Sequence, residues 1–297
     1  MTVCVAVATV WTTNQSIREQ DQPAVTNPVR LEEWLMCMNI EERLDLYKSN
    51  RIQSQLLFGD QVLLLKVREN WAYVIALGQP SGKDARGYPG WVPLCQLDNH
   101  VSSQTALFAV ITSKKALLML EETTETIWLS YQTKLPYLDE KDGRIGVETP
   151  LGRGYLHQDD VMVLNGHEDS VMGIGKDIVT CGEQFIGLPY LWGGMSSYGY
   201  DCSGFTYTMH KANGYIIPRD AGEQAKNGVP IPLHKKEPGD LLFFAYEQGR
   251  GVIHHVGIYY GEGKMLHAPY TGKTVELISL KDTIYEKELC AVRRYWH

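Results

Sequence analysis

From Met1 to about residue 165 the chain keeps one rhythm: short apolar runs, each closed by glycine or another turn former. Ile52-Gln-Ser-Gln-Leu-Leu-Phe58, Val62-Leu-Leu-Leu-Lys-Val67, Leu107-Phe-Ala-Val-Ile111, Ala116-Leu-Leu-Met-Leu120, Arg144-Ile-Gly-Val147 and Val161-Met-Val-Leu164 are examples. Runs this short are strands, and many short strands with glycine-bearing turns favour small barrels over long helices or a parallel sheet. Residues 1–100 make one barrel and 101–168 a second. The first carries a helical insertion, where Leu31, Trp34, Leu35 and Met38 recur at helical spacing and Pro28 is expected at the first helical position. Val3, Val5, Val7 and Thr9 alternate as a first strand. Both regions show a strand pair, an interior tryptophan and a glycine-rich turn before a last strand, the trace a duplication leaves.

The rhythm breaks near residue 170. Ile174, Ile178, Val179 and Phe185-Ile186 are spaced for a helix, which Gly187-Leu-Pro-Tyr-Leu-Trp192-Gly-Gly ends. A second helix is expected from Asp201 to about Gly214, with Asp201 as its N-cap. Strands then follow at 240–244, 256–260, 264–267, 275–278 and 291–295. Helices first and an antiparallel sheet afterwards is an α+β layout, so residues 169–297 form a third domain. A net charge of −7 argues against nucleic acid or an anionic membrane as the main partner. The apolar start, Met1 to Trp11, lacks a basic leader region and is too short to span a bilayer, which points to the cytoplasm.

Six cysteines lie at 4, 37, 95, 181, 202 and 290, with neither CxxC pairing nor zinc-ligand spacing. Most read as small reduced core residues. Cys202, in Tyr200-Asp-Cys-Ser-Gly204, differs because it falls at a helix start. The free amides and positive dipole end there favour an anion, both a thiolate and an oxyanion. A nucleophile needs a base. In Ile253-His-His-Val-Gly-Ile-Tyr259, alternation sets Val256 and Ile258 toward the core with His254, and His255 with Gly257 on the other face. His255 is the better base and His254 the second choice. His267, across a reversal at Gly261-Glu262-Gly263, should land beside His255 or Gly257 and orient the imidazole. A metal site on His255 and His267 is the competing reading and lacks a third ligand. Histidines 100, 157, 167, 210, 234 and 297 read as surface residues. No carboxylate pair suits glycoside hydrolysis, no phosphate loop is present, and no cofactor is implied.

Phe185-Ile-Gly-Leu-Pro-Tyr-Leu-Trp-Gly-Gly194, Asp201-Cys-Ser-Gly-Phe205, Pro238-Gly-Asp-Leu-Leu-Phe243, His255-Val-Gly-Ile-Tyr259 and Leu266-His-Ala-Pro269 resemble, in order, the blocks of the NlpC-type cell-wall cysteine peptidases. The resemblance implies a papain-like catalytic domain with Cys202, His255 and His267 as its catalytic residues, and two N-terminal SH3-like barrels. The arrangement is similar to the YkfC-type γ-D-glutamyl-L-diamino acid endopeptidases, also called dipeptidyl-peptidase VI. Those enzymes cut murein stem peptides with a free N-terminal L-Ala after the γ-linked D-Glu. By resemblance Asp201 and Tyr190 line the pocket for L-Ala and its amine, with Ser203 and Trp192 nearby. Tyr88 and Arg51 would reach it from the first barrel. Where the family often has Arg-Asp-Ser, this chain has Arg219-Asp220-Ala221, so one hydroxyl toward substrate is missing.

The expected partner is therefore a murein peptide, L-Ala-γ-D-Glu-diamino acid, with lysine or diaminopimelate as the diamino acid. Two other readings share these residues: a wall-peptide binding protein with an inactive third domain, and an amidase or acyltransferase on the same scaffold.

Overall fold

In a computed structural model the structure describes residues 1–100, 105–123, 125–166 and 172–297. The expected domain boundaries near 100 and 168, and His167, fall on or beside residues outside that set. The chain divides into two compact units. The first holds residues 1–78, 86–170 and 196–198, and the second holds 79–85, 171–195 and 199–297.

The first unit contains two large sheets and a small one that pairs Thr2–Val3 with Leu97–Asp98. Strands β1 (Val7–Trp11), β2 (Ile52–Leu57), β3 (Val62–Arg68), β4 (Trp71–Ala76) and β5 (Tyr88–Pro93) form a five-stranded sheet in the order β2-β1-β5-β4-β3. The N-terminal segment does not alternate as expected. Residues 2–11 are buried throughout, because both faces of β1 are covered. The helical insertion is real but starts later than Pro28. Helices α1 (Leu31–Cys37) and α2 (Ile40–Lys48) begin behind Arg30 and Asn39. Asn39 accepts from the Glu42 amide and Glu42 returns the bond, a reciprocal cap. Leu31 and Trp34 turn inward, and the Trp34 indole donates to the buried Asp21 at 2.8 Å.

A seven-stranded sheet follows, made of β6 (Leu107–Ile111), β7 (Lys115–Leu120), β8 (Thr126–Ser130), β9 (Lys134–Lys141), β10 (Arg144–Thr149), β11 (Gly152–His157) and β12 (Val161–Asn165). Its order is β8-β7-β11-β10-β9-β6-β12. Each large sheet has its own apolar cluster, one around Val10, Val74 and Val92, the other around Ile111, Leu118 and Leu129. Phe58, at the end of β2, is buried in the second cluster and so ties the two sheets together within the unit.

The second unit has the expected α+β order. Helices α3 (Gly175–Glu183), α4 (Cys202–Lys211) and α5 (Ala221–Gln224) precede β13 (Leu241–Ala245), β14 (Ile253–Gly261), β15 (Lys264–His267), β16 (Glu276–Ser279), helix α6 (Ile284–Glu288) and β17 (Leu289–Arg294). With the short strand Val229–Pro230 at one edge, the sheet runs β17-β13-β14-β15-β16. The sheet is buried on both faces. Toward the helices, Leu266 meets Gly182 and Phe205, where a β-carbon on Gly182 would lie 2.7 Å from Leu266. On the other face Leu242, Phe244, Met265 and Val292 pack with Tyr259 and Tyr285. The Pro238-Gly-Asp240 turn anchors the sheet. Gly239 takes a φ of +92° and approaches the Gly175 backbone, while buried Asp240 pairs with Arg294 at 2.7 Å. Among the described residues no helix is long and apolar enough to cross a membrane.

Two assignments from sequence are corrected. Cys37 and Cys95 are exposed, whereas Cys4 and Cys202 are buried. His210 is not on the surface: it is fully buried in α4, its Nδ1 2.8 Å from the Thr206 carbonyl and its ring edge-on to Tyr295. Helical spacing places it one turn from Thr206, on a face whose residue types do not foretell burial. Burial holds its pKa down to about 4, with the Thr206 contact opposing. Its folded value is depressed, so stability is full above about 6.5, where the unfolded imidazole is also neutral, and falls as the pH drops toward 4. The loss from this group reaches roughly 3 kcal/mol. Urea midpoints of His210→Gln should therefore decline less between pH 7.5 and 4.5 than those of the native chain. Parallel declines would show that His210 does not carry that part of the acid sensitivity.

Candidate active site

Helix α4 starts where a glycine- and aromatic-rich stretch meets a capping aspartate. Asp201 Oδ1 accepts the Gly204 amide at 2.6 Å, which satisfies one of the orphan first-turn donors. Gly204 has to be glycine, since a β-carbon there would run into the Gly194 carbonyl. Gly193 is held at φ +74° so that its own amide donates to Asp201 Oδ2 at 3.0 Å. Trp192-Gly-Gly and Asp-Cys-Ser-Gly are thus two halves of one close contact.

Arg219, 1% exposed, completes it. Its guanidinium donates to Asp201 Oδ2 at 2.8 Å, to Oδ1 at 3.1 Å, and to Ser203 Oγ at 2.9 Å. Sequence reasoning quoted Arg219 only as part of a motif and assigned it no role. A fully buried arginine requires a carboxylate partner, and Asp201 is that partner. The Asp201 carboxylate, expected to face the substrate amine, is bonded by this guanidinium and by the Gly193 and Gly204 amides, and so holds the start of the helix. Ser203 is likewise engaged, with Arg219 and with Asp201 at 3.3 Å. Tyr190 is buried, and its amide donates to the Lys273 carbonyl at 2.9 Å; Trp192, two residues on, is half-buried. Asp220 pairs with Lys83 at 3.4 Å, and Ala221 opens α5.

The cap puts Cys202 at the first helical position, where the backbone amides of Val256 and Ser203 favour its thiolate form. Val256 follows His255 directly, so the thiol sits at the peptide that joins them. On the neighbouring strand Ile258 pairs with Leu266, which places His267 beside Gly257. A β-carbon on Gly257 would collide with Met265 and come within 3.1 Å of the His267 β-carbon, so the glycine makes room for the second histidine. His255 Nε2 lies 2.8 Å from His267 Nδ1. Tyr285 is 5.2 Å from both rings, tilted against His255 and edge-on to His267. His254 faces away, stacked on Tyr246 at 4.1 Å and paired with Glu288 at 3.0 Å, which removes it as the base.

Protonation departs from the simple helix-end argument. Burial first, and then the Asp201 charge, push the Cys202 thiol up to about 12, against the pull of the two amides and Arg219. Burial pushes His255 well below its ordinary value, and a charge on His267 or His254 would push it further. Burial alone takes His267 to about 3. Burial thus favours the neutral form of both the Cys202 thiol and the His255 imidazole.

The remaining expected site residues, Tyr88 and Arg51, lie in the first unit. Tyr88 is buried in the cluster around Val74, and its hydroxyl donates to Gln53 at 3.3 Å. The Arg51 guanidinium is paired with Asp45 at 2.6 Å and bonded to the Ser16 carbonyl at 2.8 Å.

The chain is similar to known proteins along most of its length. The model of the NlpC/P60 family matches residues 187–294, and that of the YKFC SH3b2 domain matches residues 111–163. A Bacillus subtilis (strain 168) protein named gamma-D-glutamyl-L-lysine dipeptidyl-peptidase is 47% identical over 293 residues, covering 99% of this chain and 98% of that protein. A Bacillus cereus (strain ATCC 10987) protein of the same name is 37% identical, covering 98% of this chain and 89% of its own length. The crystal structure of an NlpC/P60 family protein from Bacillus cereus ATCC 10987 superposes with a TM-score of 0.95 at 37% identity, over 100% of this chain and 99% of that one.

Two outcomes test the site. Asp201→Ala leaves the Arg219 charge buried and unpaired, which should cost about 3–5 kcal/mol in urea unfolding. Asp201→Ala with Arg219→Met should recover much of that loss; no recovery would mean the pair does not hold the helix. Alkylation of Cys202 by iodoacetamide should accelerate by about tenfold per pH unit from 7 to 9, as a thiol far below its pKa must. A plateau across that range would reveal a preformed thiolate.

Proposed function

The chain belongs to the NlpC/P60 family, and from its site we propose a cysteine peptidase that hydrolyses the γ-D-Glu–L-diamino acid bond of murein stem peptides with a free N-terminal L-Ala. The observation that carries the chemistry is the ordered series of Cys202 sulfur, the His255–Val256 peptide, and the His255–His267 bond at 2.8 Å. The bond specificity rests on the two relatives matched along most of their length, both named for γ-D-glutamyl-L-lysine.

His255 uses Nε2 toward His267, which leaves Nδ1 for the thiol. As the sulfur attacks the γ-carbonyl of D-Glu, the thiol proton moves to that nitrogen. The amide oxygen gains negative charge at the head of α4. The Gly204 amide is committed to Asp201 and the Ser203 amide lies against the sulfur, so the Cys202 amide is the first-turn donor for the oxyanion. Collapse returns the proton from His255 to the leaving amine and leaves a thioester. Water then loses a proton to His255, attacks the thioester, and releases L-Ala-γ-D-Glu and the thiol.

A neutral resting pair suits a substrate whose ammonium must approach, since an imidazolium would repel it. Tyr190, Trp192 and the Ser203 hydroxyl supply the apolar and polar wall of the pocket in this unit. A site that binds the free amine by hydrogen bonds rejects a blocked one strongly, because its own polar groups are then left unpaired.

Incubation with L-Ala-γ-D-Glu-L-Lys and with its N-acetyl form tests the reading. Release of lysine only from the free-amine peptide is expected. Equal cleavage of both would remove the free-terminus requirement, and cleavage of either by Cys202→Ala would remove the mechanism.

A further inference from the structure

His267 is wholly buried, and its Nε2 makes no hydrogen bond. A buried donor left unpaired costs about 1–3 kcal/mol, so an orphan at the centre of a catalytic series calls for a reason. Among the described residues one carboxylate lies within 4 Å of that nitrogen. It is Glu276 Oε1, at 3.6 Å. The two residues are directly opposite each other on β15 and β16. Facing β-carbons in an antiparallel pair stand about 5 Å apart, so the carboxylate is held in reach by the register and not by a chance surface encounter.

The protons of the series are fixed by counting. For His255 Nδ1 to accept the Cys202 proton, His255 must carry its own hydrogen on Nε2. That hydrogen is donated to His267 Nδ1 across the 2.8 Å contact, so His267 Nδ1 is an acceptor. His267 is neutral, and its single ring hydrogen is therefore on Nε2, aimed at Glu276. If the His267 hydrogen moved to Nδ1, two N–H groups would face each other, and His255 would turn or change tautomer and lose its lone pair toward sulfur.

We propose that Glu276 is a positioning residue: its carboxylate holds the His267 hydrogen on Nε2, and so keeps His255 in the tautomer that can take the Cys202 proton. The inference rests on the assignment of His255 as base. At 3.6 Å the contact is longer than a hydrogen bond. Glu276 is 40% exposed on its side chain, and a small rotamer change closes the gap when substrate covers it; such bonds tighten in the occupied site. Of the other ionisable groups against the two rings, His254 shares β14 with His255 and Tyr285 comes from α6. Glu288 is committed to His254, and Tyr285 lies against the ring faces and edges instead of at Nε2.

Nitrogen-15 NMR of the histidine rings in the resting protein reads the tautomer directly, without any substrate. The native protein should show His267 protonated on Nε2. In Glu276→Ala that signature should shift toward the Nδ1 form or a mixture. kcat on L-Ala-γ-D-Glu-L-Lys should fall about tenfold or more, with KM changed less than about twofold. Glu276→Gln keeps an acceptor oxygen at the same place and should restore the Nε2 signature and most of kcat. An unchanged tautomer in Glu276→Ala, or a kcat that stays low in Glu276→Gln although the protein is folded, would overturn the proposal. An Nε2 signature in the native protein that shifts in Glu276→Ala, with no cleavage of the tripeptide by the native protein, would sink the substrate assignment and leave Glu276 in place.

Discussion

The buried pair of Asp201 and Arg219 is the interaction on which the site depends. Neither charge could stay buried alone. Together they are matched, and the carboxylate has lone pairs left for the Gly193 and Gly204 amides. One side chain thereby ties a loop, a helix start and the segment before α5 to a single point. Cys202 follows immediately in the chain, so its position is set by that point and not by its own contacts. The glycines of both motifs follow from the same geometry, because the backbones meet too closely there for a β-carbon.

The other half of the site is set by strand register. Antiparallel pairing of β13, β14, β15 and β16 brings Phe244, His255, His267 and Glu276 to neighbouring positions across the sheet. Register is rigid where both faces of a sheet are packed, since a slip of one residue would turn every side chain over. Leu266 and Met265 point to opposite, equally buried faces, so β15 has no room to slip. Cys202 is thus placed by a helix cap, and His255 and His267 by a sheet.

Much of this was legible in the sequence, for physical reasons that also mark its limits. Short apolar runs with glycine turns gave the β-rich first part, because local length and turn chemistry decide that. The capped helix at Asp201 and the antiparallel reversal at Gly261-Glu262-Gly263 gave Cys202, His255 and His267. What stayed hidden was long-range pairing of charge. Nothing local tells that Arg219 is buried, and without Arg219 the Asp201 carboxylate reads as available. His210 stayed hidden because a polar residue on an amphipathic helix looks exposed until both faces are covered. The start of α1 was misplaced because Pro28 suits a helix start and also the turn it occupies.

Burial of the catalytic groups has a consequence for how such a site can work. A thiolate and an imidazolium, separately stabilised, would each need solvation that the packed sheet and helix do not give. The site instead keeps both groups neutral and places polar donors where charge develops: two amides at the sulfur and a helix head above it. The thiolate is consumed as the bond to carbon forms, so the charges left to stabilise are those on the imidazolium and the oxyanion. The same argument explains why the imidazole series must have a fixed hydrogen order. The rings are buried, so their tautomers follow from the acceptors they meet, and the strand register puts a carboxylate 3.6 Å from the end of the series.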